Sequence, residues 1–335
     1  MPLVTPVDLV TAARTLPSRL GSSGQSLGLR AGFATVRAMP EVAAYRMFDG
    51  IADLSTRRGG KGVARLRSNY AKVRPQLDAP ALDELVREGM RSYMRYYCDA
   101  FRLQDRTQEE LGRMVRITGG ETVTDGVAAG TGAIAFTAHM GNWDTSGAWS
   151  STYLAPLTTV VERLEPEEVF RDFLAFRESL GMTILPLTGG PDPFVGLKQA
   201  IGRGDFVALV ADRDLTHNGL EVDLCGHRAR MAKGPAVLAL LTGAPLVAAS
   251  MTTEPAPDAP GGRRVVIEMT PVPVPATGTT REKVAVMVQA CADHLGAAIT
   301  AHTSDWHMLQ KVFVDDLDDR ADGADGATAD DEGAR

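Results

Sequence analysis

The stretch Ala133-Ile-Ala-Phe-Thr-Ala-His-Met-Gly-Asn-Trp-Asp144 decides how this chain is read. Ile134 to Ala138 is a short run of strand length, apolar but for Thr137, which predicts a buried strand. His139 stands at its carboxyl end, Gly141 permits a tight turn, and Asn142 and Asp144 are both candidate N-caps for a helix that follows. In α/β sheets, ligands and chemistry collect at such strand-to-helix turns. A His and an Asp five residues apart at that place suggest a base and the group that orients it. A structural pair has the same spelling; the Gly-Asn-Trp between them is what favours a site.

Outward from this stretch the pattern repeats. Apolar runs at 133–138, 157–161, 183–185, 206–210, 246–251 and 265–269 read as strands. Helical stretches at 145–151, 167–179, 193–203 and 235–242 fall between several of them, and 281–303 reads as another long helix. The alternation predicts an α/β fold, a mostly parallel central sheet flanked by helices. Upstream, 83–102 reads as a helix, and apolar residues over 29–58 partly follow helical spacing with Arg30, Arg37 and Arg46 between them. Pro40 breaks that run into two amphipathic helices. Such helices either lie in a membrane interface or pack on a core, and the sequence leaves both open.

Composition bounds the rest. A chain of 335 residues with 44% apolar content can build one large α/β domain or two small ones. Cys98, Cys225 and Cys291 share no close spacing, which fits a reducing compartment and gives no zinc or disulfide pattern. The opening Met-Pro-Leu-Val-Thr-Pro-Val-Asp lacks a basic segment followed by an apolar one, so secretion is not expected. The longest apolar stretch, 236–251, is interrupted by Thr242, Gly243 and Pro245 and does not read as a membrane span. Charge is uneven: residues 1–75 hold 12 Lys/Arg against 4 Asp/Glu, and residues 315–335 hold 9 Asp/Glu against 2 Arg. A basic amino-terminal segment in an acidic protein predicts attraction to an anionic membrane surface. Nucleic acid is not expected as a partner, because the segment has no recognised module and no interleaved aromatics. The expected organisation is a flexible segment at 1–28, a catalytic domain at 29–314 with docking helices at 29–58, and an acidic disordered tail at 315–335.

A second acidic site ends another apolar run, Asp205-Phe-Val-Ala-Leu-Val-Ala-Asp-Arg-Asp214. In a parallel sheet its carboxyl end shares an edge with His139, so Asp212 is a candidate to fix the imidazole tautomer, with Asp144 competing from the adjacent helix. Arg213 and Asp214 are also readable as a structural clamp. Other patterns fail on context. Gly130-Thr-Gly-Ala-Ile-Ala precedes a strand rather than following one, so it is no dinucleotide fingerprint. No Gly-x-Ser-x-Gly elbow and no P-loop occur, and His217, His227, His294, His302 and His307 lack metal-ligand spacing. With no Ser or Cys nucleophile in view, a His-centred site most simply activates a substrate hydroxyl, using neither a metal nor a covalent enzyme intermediate.

Several blocks, in order, carry a resemblance. Thr137-Ala-His-Met-Gly-Asn-Trp-Asp144, Val161-Glu-Arg-Leu164, Phe176-Arg-Glu-Ser-Leu-Gly181, Ala211-Asp-Arg-Asp-Leu215 and Asp305-Trp-His-Met-Leu-Gln310 resemble the bacterial lipid A late acyltransferases of the lysophospholipid acyltransferase superfamily. Within that branch they are similar to the actinobacterial phosphatidylinositol mannoside acyltransferases. The resemblance runs from about Leu29 to Gln310. It implies a peripheral α/β enzyme on the cytoplasmic face of the cell membrane that moves a fatty acyl group from acyl-CoA to a mannose hydroxyl, without a cofactor. It implies that His139 is the general base. Backbone N–H groups near Gly141 and Asn142 are expected to face the oxyanion. Arg177 and Asn218 match positions that contact the substrate, and Arg163 and Arg213 lie in matching blocks. Asp212 stands where that branch carries a Glu, and the shorter side chain keeps Asp144 as the other partner. Leu241 falls where an acidic residue is expected, so acceptor recognition is expected to differ. Alternatives are a different glycolipid or lysophospholipid acceptor, or a non-catalytic lipid-binding protein.

Overall fold

The structure is a computed structural model and describes residue 32 and residues 34–163, 167–214 and 218–318. The expected flexible segment at 1–28, Arg30, and most of the expected acidic tail lie outside the described residues. Pro40 does separate two helical pieces, standing just before α1 (Glu41–Arg58). Then come α2 (Lys61–Val73), α3 (Ala79–Leu103), α4 (Gln108–Met114), β1 (Val115–Thr118) and α5 (Glu121–Ala128). The α/β part follows as β2 (Ala133–Thr137), α6 (Trp143–Tyr153), β3 (Leu157–Val161), α7 (Glu167–Ser179), β4 (Met182–Pro186), α8 (Pro193–Gly202) and β5 (Phe206–Val210). A hairpin of β6 (Leu220–Leu224) and β7 (His227–Met231) precedes α9 (Gly234–Thr242), β8 (Leu246–Pro255), β9 (Arg263–Val272), α10 (Thr280–Ala301) and α11 (Val314–Asp318).

Seven strands form one sheet in the order β1-β9-β8-β2-β5-β3-β4, and every pairing is parallel except β8 with β9. All five residues of β2 are buried, as a strand covered on both faces requires, and this is why its sequence, apolar but for Thr137, does not alternate. The chain order makes the site. From β2 the chain passes beyond β5 to β3, and from β5 it returns past β2 to β8. The carboxyl ends of β2 and β5 therefore flank a crevice at a switch point, where ligands gather in such sheets.

The short helices α4 and α5 went unread in the sequence, and so did three further parts. β1 has four residues, two of them exposed, too short to show a period. The β6–β7 hairpin alternates cleanly, with Val222, Leu224, Ala229 and Met231 buried between charged residues. Its two-residue turn, Cys225-Gly226, has both φ values positive, the geometry that joins antiparallel strands of right-handed twist. The third is α2, whose Asn69 and Tyr70 bond the carbonyls of Met308, Gln310 and Trp306. The boundary expected at 314/315 falls inside α11, where Asp316 pairs with Lys72 and Arg65 of the basic amino-terminal part. Among the described residues α10 alone is long and apolar enough to cross a membrane, but it packs on β8 and β6 with Met287, Val288, Cys291 and Leu295 fully buried.

α1 lies on α3 through Ala44, Phe48 and Ala52, and its acidic residues pair across: Asp49 with Arg95 and Asp53 with Arg91. This packing carries α3, and with it Tyr93, Tyr96 and Tyr97, over the sheet edge that holds His139.

Candidate active site

Register brings the two predicted strand ends together. Thr137 of β2 pairs with Val210 of β5, so His139 and Asp212 each stand two residues beyond the same rung. His139 Nδ1 lies 2.5 Å from Asp212 Oδ1. Asp212 Oδ2 accepts the backbone N–H of His139 at 3.1 Å and the indole N–H of Trp306 at 3.0 Å. Burial alone would raise the carboxyl of Asp212, which is fully enclosed, but the imidazole and these donors hold it below the ordinary value. Nδ1–H therefore donates to a carboxylate, and Nε2 keeps its lone pair for the cleft that His139 lines. The shorter Asp in place of Glu still reaches.

Asp144 does a different job. Its oxygens accept from Tyr96 Oη at 2.5 Å and Arg177 Nε at 2.9 Å, tying α6 to α3 and α7. The N-cap is Asn142, whose Oδ1 accepts the N–H of Thr145 at 3.0 Å. Gly141 has φ 63°, and a Cβ there would stand 2.5 Å from the carbonyl oxygen of Met251, so the turn requires glycine. The expected oxyanion donor at Gly141 is corrected by the structure: its N–H is spent on the carbonyl of Asp305 at 2.8 Å.

That bond belongs to a clamp the sequence reading missed. Residues 305–307 run antiparallel beside the turn, bridging Met140 with Trp306, and the N–H of His307 donates to the carbonyl of His139 at 2.7 Å. Trp306 is fully buried. His307 also lines the cleft, with Nε2 3.0 Å from Ser92 Oγ and its ring edge-on to Tyr93. Desolvation, aided by the neighbouring His139, pushes His307 down to about 4, so it stays neutral at physiological pH. The only sequence signal was the run Asp305-Trp-His; its partners lie far off in the chain.

The cleft has a volume of about 260 Å³. Of the predicted substrate-binding residues, Arg177 and Arg213 line it and Arg163 and Asn218 do not. Arg177 stacks with its guanidinium 4.0 Å from the Trp143 ring centre, and Asp144 keeps it charged despite burial. Arg213 bonds Glu162 at 3.1 Å and also Gln310, and burial lowers it from its usual value. The Arg213–Asp214 clamp does not form; Asp214 instead accepts the N–H of Gly219 at 2.8 Å. Arg163 bonds Glu167 and the carbonyl of Gly189. A narrow apolar pocket runs between α6 and the sheet, past Ala135, Gly147, Ala208 and Met251, and shares Trp143, Thr159 and Val210 with the cleft. Small side chains at α6 positions 146, 147 and 150 leave that space.

On the other side of the turn, Asn142 Nδ2 donates to Asp99 Oδ2 at 3.2 Å, and Tyr45 also donates to Asp99. Desolvation pushes Asp99 up to about 6 against these bonds. A carboxyl raised in the folded state adds stability below its unfolded value, and that stability is lost as pH rises through the folded one. Between pH 4 and pH 7, wild type should therefore lose on the order of 2 kcal/mol relative to Asp99→Asn. Urea titrations at both pH values read the difference; a gap that does not move with pH contradicts this assignment.

Comparison with known proteins gives the family. The chain matches the family described as bacterial lipid A biosynthesis acyltransferase over residues 18–314. A protein of Mycolicibacterium smegmatis named phosphatidylinositol mannoside acyltransferase is 39% identical over 310 residues, covering 91% of this chain and 97% of that relative. A protein of the same name from Mycobacterium tuberculosis is 40% identical over 290 residues, covering 86% of this chain and 88% of the relative. A histidine–carboxylate pair at a sheet switch point, with its histidine lining a cleft, is thus found in a chain that belongs to the bacterial lipid A biosynthesis acyltransferase family.

Proposed function

We propose that the protein transfers a fatty acyl group from acyl-CoA to a mannose hydroxyl of a phosphatidylinositol mannoside, with His139 as general base. The names of the relatives support the acceptor. The observation that carries the chemistry is the His139–Asp212 pair, with Nε2 free at a cleft that shares Trp143, Thr159 and Val210 with an apolar pocket. In this scheme the sugar hydroxyl gives its proton to Nε2 as its oxygen attacks the thioester carbonyl. The C–S bond of the tetrahedral intermediate then breaks, and the imidazolium returns the proton to the departing thiolate. Asp212 holds the tautomer and stabilises the imidazolium. Negative charge on the carbonyl oxygen develops in a cleft lined by Arg177 and Arg213, and the apolar pocket beneath α6, about 50 Å³, takes only a short part of the acyl chain. Mass spectrometry of lipids from a strain lacking the gene tests this reading. Loss of one acylated mannoside with accumulation of its counterpart lighter by one acyl group supports it; unchanged mannosides with a defect in another lipid contradict it.

The same reading puts the protein on the cytoplasmic face of the cell membrane, held peripherally through α1. That helix buries Ala44, Phe48 and Ala52, while Val42 (62% exposed), Leu54 (46%), Arg46, Arg57 and Arg58 lie exposed. Arg37, expected among the docking residues, is held by Asp105 and Gln104 instead. Each free cation near an anionic surface contributes about 1 kcal/mol, screened over about 10 Å at 0.1 M salt. Flotation with phosphatidylinositol-containing vesicles should weaken at 0.5 M salt and in Val42→Asp/Leu54→Asp. Equal binding to neutral vesicles contradicts the docking face.

A further inference from the structure

Behind the catalytic turn lies a second cavity, about 640 Å³, that the acyl-transfer scheme leaves unused. α1, α3 and the segment 260–264 wall it, and its floor is the far side of Gly141 and Asn142. It is polar and graded. Three of its arginines are neutralised, Arg91 by Asp53, Arg95 by Asp49 and Arg264 by Asp258. Arg46 and Arg263 make no ion pair among the described residues, and both are exposed, so the mouth is cationic. Glu88 is also exposed at this wall and offsets part of that charge. Deeper in stand two carboxylates. Asp99 accepts from Tyr45 and Asn142, and Asp305 accepts from Ser92 and from the N–H and hydroxyl of Thr253. An ionised carboxylate has about four acceptor positions, so each retains capacity for a ligand hydroxyl.

Free guanidinium groups match a phosphate, and carboxylates with spare lone pairs match a polyol. The mouth adjoins Val42 and Arg46 on the outward stripe of α1, the face proposed above to meet the bilayer. We propose that this chamber seats the headgroup of a membrane phospholipid carrying a polyol, with its phosphodiester at Arg46 and Arg263 and its hydroxyls at Asp99 and Asp305. The lipid is a component of the bilayer, not the acyl acceptor. It enters beside α1, and the cleft of His139 stays open for the reactants. Because the floor is the turn that carries His139, an occupied chamber buttresses that turn from behind.

Binding by the full-length protein can be read without catalysis, so it stands or falls separately from the acyl-transfer reading. The probes are short-chain phosphatidylinositol, short-chain phosphatidylcholine and inorganic phosphate, by calorimetry. Phosphatidylinositol should bind at least about tenfold more tightly than the other two, and Arg46→Ala/Arg263→Ala should remove that preference. Both arginines are exposed and, among the described residues, make no ion pair, so the variant should keep the wild-type melting temperature; Arg46→Gln, the milder change, should give an intermediate loss. Equal binding of phosphatidylinositol and phosphatidylcholine, or unchanged affinity in the double variant, overturns the site. A rise in the acceptor's KM in detergent that parallels the loss of phosphatidylinositol binding overturns the assignment to a bilayer lipid, because the chamber then belongs to the acceptor.

Discussion

His139→Ala should lower acyl transfer by about 10²–10⁴-fold while the melting temperature stays within a few degrees of wild type. The imidazole is one-third exposed and, among the described residues, bonds only Asp212 through its side chain, so little packing is lost with it. Among the described residues of the cleft, the other candidate bases are engaged, Glu162 with Arg213 at 3.1 Å. His307 is neutral, but its Nε2 is engaged with Ser92. Steady-state transfer with a saturating donor reads the effect, and activity within tenfold of wild type contradicts a general-base role for His139.

Asp212→Asn should cost nearly as much, for a reason the hydrogen bonds supply. Oδ2 receives two donors, the His139 backbone N–H and the Trp306 indole, so the amide oxygen of Asn takes that side. The amide NH₂ then faces Nδ1, which must become an acceptor, and the ring proton moves to Nε2. The wrong tautomer has no lone pair for the substrate, and losses of about 10³–10⁴-fold follow from such a change. One buried charge-assisted bond is also lost, so a stability cost of about 1–3 kcal/mol accompanies it. Asp144→Asn should act differently, loosening Arg177 and Tyr96 and lowering stability with a smaller effect on turnover. If Asp144→Asn gives the larger loss of turnover and Asp212→Asn is nearly silent, the two roles are exchanged.

Local pattern was enough where local forces decide. β3, β5 and α7 have the bounds their apolar runs and periodicity predict, and β2 differs by one residue. The meeting of His139 with Asp212 needed only two strand ends in a parallel sheet; that β2 and β5 are neighbours in matching register is a tertiary fact. The choice between Asn142 and Asp144 as cap was not legible, because both side chains cap well. Contacts from Tyr96 and Arg177, 48 and 33 residues away in sequence, settle it. The oxyanion expectation at Gly141 failed for a similar reason, since the carbonyl that occupies its N–H comes from Asp305. The hairpin was legible in its alternation and its Cys225-Gly226 turn, and β1 was too short to be. α11 reflects long-range attraction between an acidic carboxyl-terminal stretch and Arg65 and Lys72, which composition read as solvated tail.

The most direct measurement is reconstitution with purified protein, acyl-CoA and a purified phosphatidylinositol mannoside, following thiol release and lipid mass together. The account predicts one free CoA thiol per mannoside that gains one acyl group, with both signals vanishing in His139→Ala. Thiol release without an acylated lipid, or acylation that persists in His139→Ala, would contradict it.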